Sequence, residues 1–500
     1  MQRIDTHAPE LPLFDPDHTR RIEARALAAL APQTLMRRAG IAVAHLALAL
    51  APHARVIRIV AGPGNNGGDG VEAALQLRRL GKAVEVTLIG TPTAADAVDA
   101  LARARAASIV INPPQLRPLD AHDLAIDALL GLGASRAPAG ELAAAIDALN
   151  DLPCTVLAVD LPSGLDGRTG QALGAACVCA QHTLSLLTLK PGLFTAAGRD
   201  HAGSVWFDGL GVDTIADTPD AWLSGAAAAA LPARRHAQHK GSFGDVAVVG
   251  GASGMTGAAL LAARAAHAAG AGRVFVELLD AHAPSFDDTR PELMLRPGWT
   301  QHAEIATLAA STVVCGCGGG DAVRSVLPRL LGSVPRLVLD ADALNAIAAD
   351  AQLRQLLRAR AGCGQATVLT PHPLEAARLL GSSSAQVQAD RLSAATTLAD
   401  ALQCVVLLKG SGTVLAAPGR RPRINASGNA SLASAGTGDV LAGWLGGQWS
   451  QGSEEAGVDA ACRAAAGSAW LHGAAADAAG LPVMRASLLI EQMAALAAAR

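Results

Sequence analysis

The chain has 500 residues, 51% hydrophobic and 17% charged, enough apolar surface to offset chain entropy and too much chain for a single core, so two or three domains are expected. Net charge is −3 from 40 basic and 43 acidic residues, which leaves no electrostatic footprint for nucleic acid or an anionic membrane surface. Aromatics are 2% with no Tyr, so cores of Ala, Leu and Val are expected, without a stacking platform for bases.

The N-terminus, MQRIDTHAPELPLFDPDH, mixes acids and prolines and does not read as a secretory signal. The greasiest stretch, from Ile41 to Val60, is interrupted by His45, Pro52, His53, Arg55 and Arg58, short of the roughly 18 apolar residues of a membrane span. Eight cysteines, several in apolar runs (Cys154, Cys404, Cys462), read as core hydrophobes in a reducing compartment, which makes the expected location cytoplasmic. The pairs Cys177/Cys179 and Cys315/Cys317, read as strand residues, place both thiols of a pair on one face with no second pair nearby, and packing is preferred to metal binding.

Helical spacing runs from Ile22 to Leu50. A strand Val56 to Val60, a Gly-rich turn, a helix Val71 to Leu80 and a strand Val84 to Ile89 follow. Short apolar runs, Leu124 to Asp127 and Thr155 to Asp160, alternate with helical stretches, the pattern of a doubly wound parallel sheet, so residues 1–222 read as a Rossmann-like α/β domain. Periodicity fails between about Asp213 and Lys240, where Pro219, Pro232 and an alanine run mark a boundary. A second α/β series then occupies 223–500, with strands Val246 to Val249, Arg273 to Glu277, Thr312 to Cys315, Leu337 to Leu339, Thr367 to Leu369 and Val405 to Leu408 and an Ala-rich helix Thr256 to Ala269. The halves share no motif spacing, so they read as a fusion of different domains.

Directly after the first strand stands AGPGNNGGDG, residues 61–70, where glycines and a helix N-terminus suit an anionic ligand. Gly62, Gly64 and Gly67 fit a dinucleotide fingerprint with Glu85 on the next strand, so a hydride-transferring dehydrogenase is one candidate. Asp127 and Asp160 end neighbouring strands and face one crevice, as general base, cation ligand or simple caps. With Asn65, Asn66 and Ser163 they form an oxygen-rich set suited to a hard cation. GNNGGDG, Ile126-Asp127-Ala128, Asp160-Leu161-Pro162-Ser163-Gly164 and Leu189-Lys190-Pro191-Gly192 together resemble the YjeF N-terminal family, the NAD(P)H-hydrate epimerases. The resemblance implies that Asn65, Asn66, Gly67, Gly68 and Asp69 hold the dinucleotide, together with Gly131, Leu132, Gly133, Ala134, Ser135, Arg136 and Ala137. It also implies that Asp160 contacts the hydrate, with proton handling as its chemistry and Lys190 as a second candidate, and that Asn66, Asp127 and Ser163 bind potassium.

In the second half, Gly250 to Ala259 is another Gly-rich loop opening a helix, and Asn425 to Gly443 ends in Gly436-Thr437-Gly438-Asp439 before an apolar helix. Backbone N–H groups there can stabilise a transferring phosphoryl group while Asp439 takes a proton from the attacking hydroxyl; helix capping is the plainer alternative. Lys409-Gly410-Ser411-Gly412-Thr413 follows an apolar strand and brings a cation towards a nucleotide. These motifs resemble the ribokinase-like fold. HKGSFG, GGASGMTGAA, Leu339-Asp340-Ala341-Asp342, Thr370-Pro371-His372-Pro373 and the glycine loop at 316–320 narrow the resemblance to the ADP/ATP-dependent NAD(P)H-hydrate dehydratases. That loop, Gly-Cys-Gly-Gly-Gly, stands where the family usually has Gly-Pro-Gly-Leu-Gly. By this resemblance Lys409, Gly410, Ser411, Gly412, Thr413 and Gly438 bind ADP or ATP with magnesium, and Ala258, Gly318, His372 and Asp439 contact the hydrated cofactor. The implied whole is a bifunctional isomerase and lyase that epimerises NADHX and NADPHX and dehydrates the S form, as a homo-oligomer. A sugar or vitamin kinase fused to a dinucleotide-binding domain is the alternative, and a non-catalytic nucleotide sensor a further one.

Overall fold

Strands such as Leu124–Ala128, Ser311–Cys315 and Val405–Leu408, buried at every position, need cover on both faces, and the chain supplies it with helices between parallel strands. In the computed structural model, which describes residues 1–7, 9–113, 118–231, 233–452 and 457–499, two compact units form: Met1–Asp5 with Pro12–Ala221, and Thr6–Leu11 with Trp222–Arg500. Pro232 lies outside the described residues. Among the described residues no helix is long and apolar enough to cross a membrane.

The first unit contains β1 (Ile57–Ala61), β2 (Val84–Leu88), β3 (Val110–Asn112), β4 (Leu124–Ala128), β5 (Thr155–Val159), β6 (His182–Leu186) and β7 (Ser204–Asp208). Their order is β7-β6-β5-β4-β1-β2-β3, all parallel, with Gln2–Arg3 added antiparallel to β7. β1 has β2 on one side and β4 on the other, so the loops after β1 and β4 leave in opposite directions and open a crevice at the carboxyl ends.

The helical pattern expected from Ile22 to Leu50 is two helices, α1 (Pro16–Ala29) and α2 (Thr34–Leu50). Asp15 caps the first, accepting from the His18 N–H at 2.7 Å; Pro32 and the left-handed Gln33 (φ 63°) separate the two. The Gly-rich segment is also more helical than expected: α3 spans Asn65–Arg79 and starts six residues before Val71. Its glycines serve close packing, since a Cβ at Gly67 would overlap the Gly62 carbonyl and one at Gly68 would stand 2.5 Å from Met36 Cε.

The second unit contains β8 (Asp245–Gly250), β9 (Arg273–Leu278), β10 (Met294–Leu295), β11 (Ser311–Cys315), β12 (Arg336–Leu339), β13 (Ala366–Leu369), β14 (Val405–Leu408), β15 (Thr413–Ala416) and β16 (Arg423–Asn425). The order β10-β9-β8-β11-β12-β13-β14-β15-β16 is parallel as far as β14, and β15 and β16 are antiparallel. Here the order reverses between β8 and β11. Helix α4 (Thr256–Ala268) follows β8, α5 (Pro373–Leu380) follows β13, and α6 (Thr437–Ser450) packs on α4 with α7 (Val458–Ala479) beside it. Small residues make that approach possible: Cβ atoms at Gly443 and Gly447 would overlap the carbonyl oxygens of Ala262 and Ala266. Gly443→Ala should therefore lower stability by about 1–3 kcal/mol, read as a lower urea midpoint by tryptophan fluorescence, because the buried Trp444 and Trp449 lie on the same helix.

Candidate functional sites

In the first unit the carboxyl ends of the strands gather polar side chains around one cavity, lined by Glu23, Asn65, Asp69, Asp96, Leu132 and Asp160 among others. Asp160 follows β5 in a left-handed conformation (φ 67°). Its N–H donates to the Leu184 carbonyl at 2.8 Å, and its Oδ1 accepts from the Leu186 N–H at 3.0 Å and from Lys190 Nζ. Lys190 is wholly buried and also donates to the Leu186 carbonyl at 2.7 Å, so this is a fixed ion pair at the cavity floor. Asn65 and Asp69 are one turn apart on α3 and share a face. Burial, then the nearby charges of Asp160 and Glu23, pushes the Asp69 carboxyl well above the ordinary range, and burial followed by Asp160 also raises Glu23.

Asp127 is buried within β4 and held by Ser163: Oδ1 accepts from Ser163 Oγ at 2.6 Å and Oδ2 from the Ser163 N–H at 2.8 Å. Asn66 Nδ2 donates to the Leu130 carbonyl at 3.0 Å, and Ser163 Oγ lies 2.8 Å from the Leu130 nitrogen. The three side chains expected to share a cation thus converge on one short loop. Burial, opposed by the Ser163 hydrogen bonds, pushes Asp127 up to about 6, and an all-oxygen set around a desolvated carboxylate fits a hard monovalent cation that would keep it ionised. Gly67 and Gly68 are buried against neighbouring backbone and side chains. In the loop 131–137, Leu132 lines the cavity and its carbonyl accepts from Arg20. Gly131 packs against Asn66, Ala134 is half-buried, and Gly133, Ser135, Arg136 and Ala137 are exposed.

Glu85 does not fit a dinucleotide fingerprint. It pairs in register with Arg58 near the start of β2, at the end of the sheet opposite the Gly-rich segment, and is bound by Arg58 Nη2 at 3.0 Å and Asn112 Nδ2 at 3.1 Å. A ribose-binding acid needs the carboxyl end of that strand.

In the second unit Asp340, the residue after β12, is the hub. Its Oδ1 accepts from Lys409 Nζ at 2.8 Å and from Thr370 Oγ1 at 2.7 Å. Asp439 is the third residue of α6, half-buried. One atom each of Asp439, Asp340 and Cys317 lie within 4.8 Å of one another. Burial, then the charge of Asp340, pushes Asp439 up to about 6, while Lys409 is raised because Asp340 and Glu375 outweigh the cost of its burial. Gly438 admits the lysine: a Cβ there would stand 3.3 Å from Nζ. The turn through Gly410, Ser411 and Gly412 into Thr413 is braced by the buried Arg391, whose Nη2 donates to the carbonyls of Leu408 at 3.2 Å and Lys409 at 3.1 Å. Ala258 and Gly318 are neighbours across the strand-order reversal, a Cβ at Gly318 falling 2.9 Å from that of Ala258. His372 caps α5 through Nδ1, which accepts from the Leu374 N–H at 3.1 Å, and its ring is exposed. The start of α6 is held by His472, pushed down to about 4 by burial and therefore neutral, donating to the Thr437 carbonyl at 2.9 Å.

The reading of the Cys-x-Cys pairs requires correction. Cys177 is buried and Cys179 exposed, in a segment that is not a strand; Cys315 ends β11 and Cys317 lies in the turn beyond it. Period-two alternation does not hold where the chain leaves the strand; Cys317 is buried in core packing, as expected, and also stands beside the site's carboxylates. Glu23 and Asp96 carry no motif in the sequence. Asp340 did carry a signal, a carboxylate at the carboxyl end of a parallel strand, the same rule that singled out Asp127 and Asp160.

A family model described as NAD(P)H-hydrate dehydratase matches residues 246–494, and one described as YjeF-related protein N-terminus matches residues 32–192. The bifunctional NAD(P)H-hydrate repair enzyme of Escherichia coli (strain K12) is 36% identical over 474 residues, spanning 91% of this chain and 87% of that protein. That of Leishmania braziliensis is 36% identical over 482 residues, spanning 89% and 84%. The ADP/ATP-dependent NAD(P)H-hydrate dehydratase of Bacillus subtilis, co-crystallized with ATP/Mg2+, is 26% identical across 53% of this chain and 93% of that one, with a TM-score of 0.42. With both domain types present in one order and 36% identity over 87% and 84% of these two curated relatives, the chain belongs to the family of bifunctional NAD(P)H-hydrate repair enzymes.

Proposed function

We propose that the chain repairs nicotinamide cofactors that have gained water across the C5=C6 bond, interconverting the R and S hydrates in the first unit and dehydrating the S hydrate in the second at the expense of ADP or ATP. The observation that carries the second step is Asp439, a half-buried carboxyl beside Asp340 and Lys409 at the start of a helix. Hydroxide is a poor leaving group. Asp439 takes the proton of the C6 hydroxyl as that oxygen attacks the terminal phosphoryl group, and the backbone N–H groups of Gly436 to Gly438 and the Lys409 cation stabilise the charge that develops. The nitrogen lone pair then expels phosphate, loss of a C5 proton restores the double bond, and AMP or ADP is released. Magnesium enters with the nucleotide, held chiefly by its phosphate oxygens.

The R and S hydrates interconvert through an iminium ion, formed when the ring nitrogen expels the C6 oxygen and quenched when water adds to either face. Asp160, held by Lys190, places a carboxylate against that cation. Asn66, Asp127 and Ser163 would hold potassium, which would supply positive charge to balance the Asp127 carboxylate. A kinase of the same fold would instead release a phosphorylated organic product.

Hydrated NADH with ADP or ATP should recover the absorbance of reduced nicotinamide with one phosphate released per cofactor, and a phosphorylated organic product would support the kinase alternative. Asp439→Asn should slow dehydration by about 100-fold or more while the epimers still interconvert. Because Asp439 works as a base and its carboxyl is pushed up to about 6, dehydratase kcat/KM should fall as pH drops through that value and level off above it. Lys190→Met leaves Asp160 buried without its partner, so it should cost about 3–5 kcal/mol of stability, measured by urea unfolding, and depress epimerisation.

A further inference from the structure

Given that the first cavity epimerises hydrated cofactor, we propose that Asp69 is the acid that protonates the departing C6 oxygen, while Asp160 acts only as the fixed anion beside the iminium. The two carboxyls line the same cavity but differ in their partners. Asp160 accepts from Lys190 Nζ and the Leu186 N–H, contacts in which its Oδ1 serves only as an acceptor. Among the described residues the Asp69 carboxyl has no hydrogen-bond or ion-pair partner. Four other acids face it: Glu23 from α1, Glu72 from its own helix, Asp96 from the helix Ala95–Ala106, and Asp160. The nearby cations are already paired, Lys190 with Asp160 and Arg103 with Glu72 at 2.6 Å and Asp99 at 2.7 Å. A half-buried carboxyl among carboxylates with no cation of its own keeps its proton, and burial raises Asp69 further. Two carboxyls with opposite environments divide the work of acid and anion.

The step balances without a co-reactant. The ring nitrogen lone pair forms the C=N bond as the C6–O bond breaks, its electron pair going to oxygen, and the Asp69 proton converts that oxygen to water. When water adds to the other face of the iminium, the Asp69 carboxylate takes back one proton, so enzyme and solvent return unchanged and only C6 is inverted. Asp69 works in its protonated form, and the rate should therefore fall as pH rises through its titration.

The test follows the conversion of purified R-NADHX to the S form chromatographically, with the full chain and no nucleotide, above the uncatalysed background. Asp69→Asn should lower kcat by about 100-fold or more in a chain that still binds NADP+. Asp69→Glu should restore part of the rate, and Asp160→Asn should slow the reaction and, because the Asp160 charge raises Asp69, shift the alkaline limb to lower pH without removing it. An Asp69→Asn variant with the parental rate and limb overturns the assignment, as does a limb that vanishes with Glu23→Gln and persists without Asp69. If the unaltered chain does not interconvert the epimers while S-NADHX is still dehydrated, the epimerase reading itself fails.

Discussion

A parallel sheet has its strand order reversed at one place, and both functional regions of this chain are consequences of that constraint. Where β1 is flanked by β2 and β4, and again where β8 is flanked by β9 and β11, successive loops turn away from each other and leave polar groups at the carboxyl ends of the strands facing a crevice. The loops on either side must also come close without side chains between them. A Cβ at Gly62 would overlap the Leu129 carbonyl, and one at Gly250 the Cys317 carbonyl. Glycine at these two positions is a requirement of backbone approach, whatever ligand is bound.

The same electrostatic plan recurs in both units. Each site contains one aspartate tied to a lysine, Asp160 to Lys190 and Asp340 to Lys409, and a second aspartate, Asp69 or Asp439, with a raised pKa. Taking charges from water is costly, and a pair is tolerated inside a protein only where it is well bonded on all sides; Lys190, with Asp160, Leu186 and Ser185 as acceptors, satisfies that condition. Beyond the effect of burial, the charge of the paired carboxylate discourages ionisation of its neighbour. Cations in these sites thus bind one acid and indirectly tune another.

The framework was largely legible in the amino-acid order. Alternation of short Val- and Leu-rich runs with helical spacing is enough to specify parallel sheets covered on both faces, and β14, Val405–Leu408, is bounded as the apolar run alone suggests. Local periodicity failed where a single backbone feature intervened. Pro32 with a left-handed Gln33 divided one helical pattern into α1 and α2, and packing drew GNNGGDG into α3, because neighbouring backbone and side chains accept only glycine at Gly67, Gly68 and Gly70.

Motif and chain order by themselves determined the two-part architecture and placed anion-binding loops and carboxylates at the strand ends, while the chemical class of each half came from the family resemblance those motifs carry. Tertiary structure alone decided which acids face each other and which are paired. Glu23 and Asp96 enter the first cavity from helices with no motif, Glu85 is removed to the far end of its strand, and Cys317 joins Asp340 and Asp439 across more than a hundred residues. The reason is physical: residue type and spacing are local properties, whereas a carboxyl's proton affinity is set by burial and by the charges around it, which come together only when distant segments pack.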